Sequence, residues 1–409
     1  MKIQSLLVIL LGMSLLTPSW ATKHIVMSSG FNFVPADLNV TVGDTIVFDI
    51  GGTHNAVEVS QATYDARGTA SNGGFSVPFG GGEVVITEAK TYYYVCTPHA
   101  ALDMVGTIVA TEAEQELDPN VFVADLSGSN EALPVLSGGS GTVTATLDGT
   151  TLTVEGSFAG LSSDFNSEIG AHIHLGYAGQ NGGVVFPLSV NLGEDNRSGS
   201  FGAADNVFTL DAGQIASLRA RQMYINIHSV DHPSGEIRGQ LLQDADAYYS
   251  TNLFGSNEVP SIISGAAGAL ALEVIGDSLF VSGAFSGLEG DLATDIGGGG
   301  HLHLGMAGEN GGVELPLTVT LDEDSRSGIF TVADNAFELT ADQKMMLANR
   351  MLYANLHSTA VRPGEIRGQV RGQADAVFRA HLSGSNEAPP VTTAANGELV
   401  FELNGNTLT

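Results

Sequence analysis

The sequence predicts an all-β chain that contains several tandem domains. Glycine accounts for 52 of its 409 residues, a content typical of chains with many short strands and tight turns. Apolar and polar residues alternate around Val143, Ala145 and Leu147, which is the period of a half-buried strand. Long segments also recur, because His172 returns as His301, 129 residues later, in similar surroundings. A period of this length indicates repeated whole domains, since solenoid repeats span about 20–50 residues.

The first 21 residues are predicted to be a signal peptide. Lys2 precedes an apolar run over 3–16, and the small residues Ser19 and Ala21 stand where a signal peptidase reads. We expect cleavage after Ala21 and export to the periplasm or the extracellular space. The run is too short for a membrane-spanning helix, and no later stretch reaches the ~20 apolar residues that such a helix needs. No transmembrane segment is therefore predicted.

Cys96, the single cysteine of the chain, lies among residues that commonly bind metals. His99 and Met104 follow it on one predicted loop, and His54 lies in an earlier loop. One thiolate, two imidazoles and a weak axial thioether form the ligand set that selects copper in a trigonal electron-transfer site. A chain with one cysteine forms no internal disulfide, so this thiol is available for a metal. We predict one copper ion bound by these four residues.

The surrounding segment resembles the plastocyanin/pseudoazurin branch of the cupredoxins. The resemblance rests on the runs 23–27, 31–35, 38–48 and 92–96 and on the candidate ligands, and it covers residues 22–111. It implies an N-terminal Greek-key β-sandwich, a type 1 (blue) copper ion and single-electron exchange with redox partner proteins. It also implies that Asn55 braces the ligand loops through a hydrogen bond, although an ordinary turn asparagine fits the same position.

The copper segment is predicted to carry electrons rather than to catalyse a reaction. Four filled ligand positions leave no open coordination site, which catalysis at the metal requires. Cys96 is flanked by Val95 and Thr97, whereas the multicopper oxidases have a His-Cys-His sequence at the corresponding place. The sequence therefore offers no direct connection from this cysteine to a trinuclear copper cluster.

After a charged, proline-terminated linker at 112–119, two similar domains are predicted at 120–245 and 246–372. Asp148-Gly149 separates two alternating runs in the first domain, which predicts a hairpin. Short helices are predicted at 211–218 and 340–349, each opened by a capping residue. Both domains resemble the chordin-type (CHRD) domain through their opening Ser-Asn-Glu, His-x-His, Asn-x-His-Ser and Gly-Glu-Ile-Arg-Gly-Gln motifs. That family has no settled biochemical activity, so the resemblance implies tandem β-sandwiches or barrels and little more.

A third copy of this domain begins at about residue 373. Residues 382–390 repeat the motif at 126–134, and the sequence stops at Thr409 inside a predicted strand. We interpret 373–409 as the truncated start of a third CHRD domain. Half of a β-domain cannot bury its apolar face, so we expect its apolar side chains to be exposed or poorly ordered.

The charge of the chain excludes two classes of partner. The 45 Asp and Glu residues outnumber the 15 Lys and Arg residues, and the formal net charge of −30 is spread along the chain. Nucleic acid and anionic membrane surfaces attract basic patches, so neither is a predicted partner. The sequence leaves the oligomeric state open.

Three histidines in each repeat have two interpretations. His172 and His174 share one face of a predicted strand, and His228 lies on another strand. The second repeat contains the equivalent residues His301, His303 and His357. If the strands are neighbours, three imidazoles could hold zinc or copper with an open coordination position. We favour a structural network in which hydrogen bonds satisfy the histidines, because no carboxylate or cysteine accompanies them.

The charged residues of the Gly-Glu-Ile-Arg motif also recur. Glu236 and Arg238 are two residues apart on a predicted strand, as are Glu365 and Arg367 in the second repeat. Because residues two apart share a face of a strand, we expect each pair to form a structural ion pair.

The leading hypothesis is an exported blue-copper electron carrier whose CHRD domains position or tether it outside the cytoplasm. Two alternatives stay open. One is a copper-capture or adhesion protein in which redox turnover is incidental, and the other is an oxidoreductase with a second metal in the repeats. The three differ in whether copper cycles between oxidation states and in whether the repeats bind metal.

Overall fold

The structure is a computed structural model that describes residues 22–111 and 117–409. The chain forms two compact units, which divide between residues 116 and 117. The predicted signal peptide and residues 112–116 of the predicted linker lie outside the described residues. Among the described residues, no helix is long and apolar enough to cross a membrane.

Residues 22–111 form nine strands, one short α-helix and a single 3-10 turn at Ala100–Leu102. In chain order the strands and the α-helix are β1 (Lys23–Ser29), β2 (Asn32–Val34), β3 (Asp37–Thr41), β4 (Thr45–Asp49), β5 (Ala56–Val59), α1 (Gln61–Asp65), β6 (Ser71–Val77), β7 (Gly82–Val85), β8 (Thr91–Val95) and β9 (Val105–Thr111). The strands pair into a four-stranded sheet of order β2-β1-β4-β7 and a five-stranded sheet of order β3-β9-β8-β5-β6.

The two sheets of this unit enclose one apolar core. Phe33 and Phe48 from the first sheet pack against Tyr94 of the second, with ring centroids 4.9 and 5.3 Å apart respectively. All three side chains are at most 2% exposed. Cys96 and Met104 belong to the same core cluster. The packed sandwich therefore continues without interruption up to two of the predicted copper ligands.

The first repeat contains eleven strands and one helix. They are β10 (Val121–Ser127), β11 (Ser140–Asp148), β12 (Thr151–Ala159), β13 (Ala171–Leu175), β14 (Val184–Leu188), β15 (Asn191–Leu192), β16 (Gly199–Phe201), β17 (Val207–Thr209), α2 (Ala212–Arg219), β18 (Met223–Ile227), β19 (Ile237–Gln240) and β20 (Leu242–Gln243). The predicted hairpin is confirmed, because Asp148 pairs with Thr151 across the turn.

The second repeat has the same elements in the same order. They are β21 (Ala247–Phe254), β22 (Ala267–Ile275), β23 (Ser278–Ser286), β24 (Gly300–Leu304), β25 (Val313–Leu317), β26 (Thr320–Leu321), β27 (Gly328–Phe330), β28 (Ala336–Glu338), α3 (Ala341–Ala348), β29 (Leu352–Leu356), β30 (Ile366–Gln369) and β31 (Arg371–Gly372). Both predicted helices are present, and each begins with a capping box, formed by Asp211 with Gln214 and by Thr340 with Gln343.

Each repeat is one curled antiparallel sheet whose inner face forms an apolar core. The strand order of the first is β14-β13-β18-β19-β10-β11-β12-β16-β15, and the second repeats it as β25-β24-β29-β30-β21-β22-β23-β27-β26. Residues such as Phe122, Val143 and Ile225 are fully buried in the first core. The predicted all-β architecture is confirmed, and the chain curls one sheet into a half-barrel in each repeat.

The opposite face of β18 and β19 carries a buried polar cluster. The Arg238 guanidinium lies 3.4 Å from the ring centroid of Tyr224 and donates hydrogen bonds to the carbonyl oxygens of Gln180 and Tyr177 at 2.7 and 2.8 Å. Arg238 is 1% exposed. Because a buried guanidinium must use its donors, these bonds hold the loop around Gln180 against the sheet.

The predicted ion pairs within the Gly-Glu-Ile-Arg motifs are wrong. The Glu236 carboxylate instead accepts hydrogen bonds from the Ser137 hydroxyl and the Ser162 backbone N–H, at 2.6 and 2.7 Å. In the second repeat, Glu365 accepts from the Ser264 hydroxyl and the Glu289 backbone N–H. Each glutamate stands just before its strand and bonds to neighbouring loops, whereas each arginine stacks on a tyrosine. A spacing of two residues did not bring the two charges together.

The two repeats are joined by a buried ion pair. The Arg221 guanidinium nitrogen Nε donates to both carboxylate oxygens of Glu273, at 2.8 and 3.1 Å, and both side chains are buried. The next junction repeats this contact, because Arg350 donates to Glu402 at 2.8 and 2.9 Å. Segment 373–409 therefore packs on the second repeat through the same pair of residue types that joins the second repeat to the first.

Segment 373–409 forms a three-stranded sheet of β32 (Ala376–Ser383), β33 (Asn396–Asn404) and β34 (Thr407–Leu408). Its strands keep the register of the earlier repeats, with Ser383 paired to Asn396. Large apolar side chains remain on its surface, since Phe378, Leu382 and Leu399 are 39%, 50% and 44% exposed. The segment thus pairs its strands as the first strands of the two repeats do, and part of its apolar surface is exposed.

Glu131 lies buried beside the Arg238 cluster, and its environment disfavours the charged carboxylate. Burial raises the pKa of Glu131 from 4.5 to about 7, although nearby Arg238 and a hydrogen bond from Asn226 favour ionisation. Burial likewise raises the pKa of the equivalent Glu258 to about 7. A pKa higher in the folded than in the unfolded chain means that the folded state binds more protons between about pH 4.5 and 7.

Replacing Glu131 by glutamine is expected to stabilise the first repeat at neutral and alkaline pH. The stability that protonated Glu131 provides is fully present below about pH 4.5 and is lost as the pH rises through 7, a change of up to about 3 kcal/mol. Glu131→Gln removes this loss. The melting temperature of the variant minus that of the wild type should therefore be larger at pH 8 than at pH 5. Thermal unfolding at both pH values measures the difference. The exposed Glu155→Gln is the matched control, and an equal effect of the two variants would contradict the prediction.

Candidate metal centre

Strand pairing brings the two ligand loops together. His54 and Asn55 immediately precede β5, and Cys96 immediately follows β8. Because β5 and β8 are antiparallel neighbours, with Val57 paired to Val95, the start of one strand meets the end of the other. The pairing of Val95 with Val105 closes the loop over 96–104, which carries the remaining predicted ligands.

Three donor atoms converge at this edge of the sandwich. The Nδ1 atoms of His54 and His99 are 3.1 Å apart, and the Cys96 Sγ lies 3.6 and 3.3 Å from them respectively. A point equidistant from the three is about 1.9 Å from each, close to the roughly 2.0–2.3 Å of zinc bonds to imidazole nitrogen and thiolate sulfur. The donor set and its spacing therefore fit a transition-metal ion.

The protein surroundings of Cys96 do not by themselves stabilise a thiolate. Burial raises the pKa of the Cys96 thiol, while hydrogen bonds from the backbone N–H groups of Asn55 and His99 act in the opposite direction. Burial, and then the neighbouring His99, lower the pKa of His54, which keeps its imidazole neutral. A bound cation supplies the positive charge that a buried thiolate needs.

Met104 lies at the end of the same loop and is fully buried. Its backbone carbonyl accepts a hydrogen bond from the Cys96 N–H at 3.0 Å, and its own N–H donates to the His99 carbonyl at 3.2 Å. These bonds tie both ends of the loop to each other. The structure thus holds the thioether-bearing residue in the core cluster that contains Cys96.

Asn55 joins the two loops through its side chain. Its Oδ1 accepts from the Thr97 backbone N–H at 2.8 Å and from the Thr97 hydroxyl at 3.2 Å, and its Nδ2 lies 2.9 Å from the same hydroxyl. Asn55 is 8% exposed. The residue beside His54 is therefore bonded directly to the residue beside Cys96.

Phe31 is a neighbour of the site to which the sequence had not assigned a role. Its ring lies 4.7 Å from that of His99 and 6.4 Å from that of His54, yet the side chain is half exposed. Leu102, on the same loop as His99, is 57% exposed. His99 therefore reaches the surface next to apolar side chains. Phe31 belongs to the run 31–35 on which the cupredoxin resemblance rests, so the sequence drew attention to it. Its contact with His99 arises only when the chain folds.

Comparisons with known proteins agree with this geometry. Residues 21–111 match the model of the copper binding proteins of the plastocyanin/azurin family. A plastocyanin from Capsella bursa-pastoris is 32% identical over 88 residues, which cover 19% of this chain and 84% of the relative. Residues 122–241 and 249–370 match the CHRD domain. The chain is a cupredoxin of the plastocyanin/azurin family fused to CHRD domains.

Solved structures with similarity to this chain are also cupredoxins. Plastocyanin from Dryopteris crassirhizoma is 20% identical, with 22% of this chain and all of that chain covered at a TM-score of 0.17. Pseudoazurin from Methylobacterium extorquens AM1 is 23% identical, with 23% and 78% covered at a TM-score of 0.18. A reduced amicyanin mutant is 28% identical, with 22% and 82% covered at a TM-score of 0.18.

The CHRD domains also bring their predicted histidines together. In the first domain, β13 pairs with β18 so that His172 lies opposite Asn226 and His174 opposite Tyr224. One ring nitrogen from each of His172, His174 and His228 lies within 4.8 Å of the others. The second domain repeats this convergence with His301, His303 and His357.

Hydrogen bonds satisfy only one side of these rings. The His174 Nδ1 lies 3.0 Å from the Gly182 carbonyl oxygen, and the His228 Nδ1 lies 3.1 Å from that of Pro233. Among the described residues, the opposite nitrogens, His174 Nε2 and His228 Nε2, have no hydrogen-bond partner, and neither does His172 Nδ1. Within the part of the chain that the structure describes, the structural network favoured by the sequence therefore leaves three nitrogens per domain without a partner.

Replacing Asn55 by alanine is expected to destabilise the cupredoxin domain. The substitution removes both acceptor bonds to Thr97 and leaves its backbone N–H unpaired, which costs about 1–3 kcal/mol of unfolding free energy. The melting temperature of the copper-loaded chain should fall. Asn39→Ala, at an exposed position of β3, serves as the control. Equal melting temperatures for the two variants would show that Asn55 is an ordinary turn residue.

Proposed function

We propose that this chain is an exported electron carrier that holds one type 1 copper ion through His54, Cys96, His99 and Met104. A copper ion at this position supplies one-electron chemistry by alternating between Cu(II) and Cu(I). The CHRD domains position or tether the carrier outside the cytoplasm, and redox proteins donate and accept its electrons. Membership in the plastocyanin/azurin family supports copper as the cofactor.

The observation that carries the proposal is the triangle of two imidazole nitrogens and one cysteine sulfur with sides of 3.1–3.6 Å. Soft sulfur favours Cu(I), imidazole suits Cu(II), and a weak axial thioether tunes the reduction potential. The buried Met104 at the end of the ligand loop is the residue available for that axial role.

A fixed ligand geometry favours rapid electron transfer, because little rearrangement accompanies the change of charge. Cys96 and His99 lie on a loop closed by the backbone bonds to Met104. Asn55 ties the His54 loop to this loop through Thr97. Hydrogen bonds that orient the ligands in this way keep the donors in place when the metal charge changes.

The route for electrons is proposed to pass through His99. Its ring is partly exposed, whereas Cys96 is fully buried. Phe31 packs on the ring, and the exposed Leu102 follows it on the loop. An apolar rim around an exposed imidazole suits a partner that binds transiently. Such a contact contains no buried ion pair that must be broken when the two proteins separate.

Cys96→Ser is expected to abolish the intense visible absorption band of the Cu(II)-loaded chain. The band arises from charge transfer between a thiolate and copper, and a hydroxyl does not replace the soft sulfur. Absorption spectra of the purified variants measure it. Thr97→Ser is the control, because it keeps the hydroxyl next to Cys96 that contacts Asn55. A wild-type chain that binds Cu(II) without this band would refute electron transfer and favour copper capture.

Met104→Leu is expected to retain copper and to shift the reduction potential, because only a weak axial ligand is lost. A leucine has similar volume but lacks the thioether donor, and the axial ligand is one of the groups that tune the reduction potential of such a site. Electrochemical titration and copper analysis measure the two quantities. The exposed Met27→Leu should leave the potential unchanged. Complete loss of copper from Met104→Leu would contradict an axial role.

A further inference from the structure

We propose that each CHRD domain binds a divalent transition-metal ion of the zinc or copper class through three histidines. The first site consists of His172 Nδ1, His174 Nε2 and His228 Nε2. The second consists of His301 Nδ1, His303 Nε2 and His357 Nε2. These sites are separate from the cupredoxin copper site and do not depend on its function.

In each cluster, three histidines converge that each carry a buried nitrogen with no partner among the described residues. The six proposed ligand atoms have no hydrogen-bond partner among the described residues. His174 and His228 are 9% and 5% exposed, so water does not freely solvate them. Leaving a buried polar nitrogen unpaired costs about 1–3 kcal/mol. One ring nitrogen of each of the three histidines lies within 4.8 Å of the other two. Buried unpaired nitrogens on histidines that converge in this way are therefore costly unless something binds them.

A hydrogen bond on the other side of a histidine ring determines which of its nitrogens carries the proton. A carbonyl oxygen only accepts, so the ring nitrogen facing it must carry the proton, and the opposite nitrogen presents a lone pair. In the second domain the accepting carbonyls belong to Gly297 for His301 and Gly311 for His303, each at 3.1 Å. That of Arg362 lies 3.0 Å from the His357 Nδ1.

In the first domain, the Nδ1 atoms of His174 and His228 face the carbonyl oxygens of Gly182 and Pro233 in the same way, at 3.0 and 3.1 Å. Metal-binding histidines almost always donate their second ring N–H to a carbonyl or carboxylate, which fixes the tautomer and the ring orientation. The second cluster therefore has three lone pairs directed inward and three N–H groups held outward, and His174 and His228 have the same arrangement in the first cluster. Three inward lone pairs repel one another and attract a cation.

Aromatic packing fixes one ring of each cluster. His174 stacks on Tyr224 with centroids 5.0 Å apart and an interplanar angle of 12°, and His303 stacks on Tyr353 at 5.0 Å and 10°. The Gly182 position is also constrained, since a Cβ there would lie 1.4 Å from the Leu175 carbonyl oxygen. The loop that accepts from His174 therefore requires glycine at this position.

The two domains reproduce the arrangement closely. The ring centroids of His172 and His174 are 5.4 Å apart, as are those of His301 and His303. Three neutral imidazoles suit Zn²⁺ or Cu²⁺ and leave a fourth coordination position for water or a small ligand. Burial lowers the pKa of all six rings, which maintains the neutral form that binds metal.

The test measures zinc in the full chain after the cupredoxin donors are removed by His54→Gln, Cys96→Ser and His99→Gln. Equilibrium dialysis against Zn²⁺ followed by elemental analysis should find two zinc ions per chain. Substituting His172, His174 and His228 by glutamine should reduce this to one, and substituting all six histidines should reduce it to none. The chain that lacks only the three cupredoxin donors is called the background chain. If it retains no more zinc than the variant that also lacks all six histidines, the proposal is wrong.

A matched control removes three histidines outside the clusters, by His24→Gln, His232→Gln and His381→Gln, and should still bind two zinc ions. An equal loss of zinc in this control would overturn the proposal. A second measurement needs no cluster substitution: Zn²⁺, but not Mg²⁺, should raise the melting temperature of the background chain. No rise would count against the sites. In the chain with Cys96 intact, the six-histidine variant should keep the visible copper band, so failure of either function is distinguishable.

Discussion

Antiparallel strand pairing is the constraint on which both kinds of site depend. In the cupredoxin domain, the register of β5 against β8 places the residues before one strand beside the residue after the other. In each CHRD domain, the register of β13 against β18, or of β24 against β29, places a His-x-His strand beside the strand that precedes the third histidine. A shift of one residue would turn every side chain of a strand to the opposite face, so backbone hydrogen bonding alone determines which donors meet.

Burial then limits how these donors can be used. Water is excluded from Cys96 and from most of the histidines, so each polar atom requires a partner within the protein or a bound ion. Asn55 and Thr97 satisfy one another between the cupredoxin loops. Backbone carbonyls satisfy the outer nitrogens of the CHRD histidines, while the inner nitrogens remain unpaired among the described residues. Burying a polar atom without a partner costs free energy, so isolated polar atoms are rare in protein cores. A group of unpaired nitrogens on converging histidines therefore indicates a bound ligand.

Repetition provides an internal comparison that a single domain lacks. The two CHRD domains share strand order, capped helices, arginine–tyrosine stacking and histidine geometry. Equivalent ion pairs occur at successive junctions. Arg221 and Glu273 join the first domain to the second, and Arg350 and Glu402 join the second domain to the following segment. Arg221 and Glu273 are both buried, so removing one partner of that pair is costly. The ion pair therefore determines the geometry of the contact between the two CHRD domains in addition to stabilising it.

The sequence alone determined the features that depend on neighbouring residues: the all-β period, the hairpin turn at Asp148, the capped helices and the Cys96 loop with its ligand types. Local backbone preferences and side-chain chemistry are sufficient for these. Tertiary structure decided that Glu236 bonds to distant serines rather than to Arg238, and that Phe31 packs on His99. It also left one nitrogen of each clustered CHRD histidine without a partner among the described residues. Those outcomes depend on loops and strands that are far apart in the chain, and spacing along the sequence does not report the distance between atoms that folding brings together.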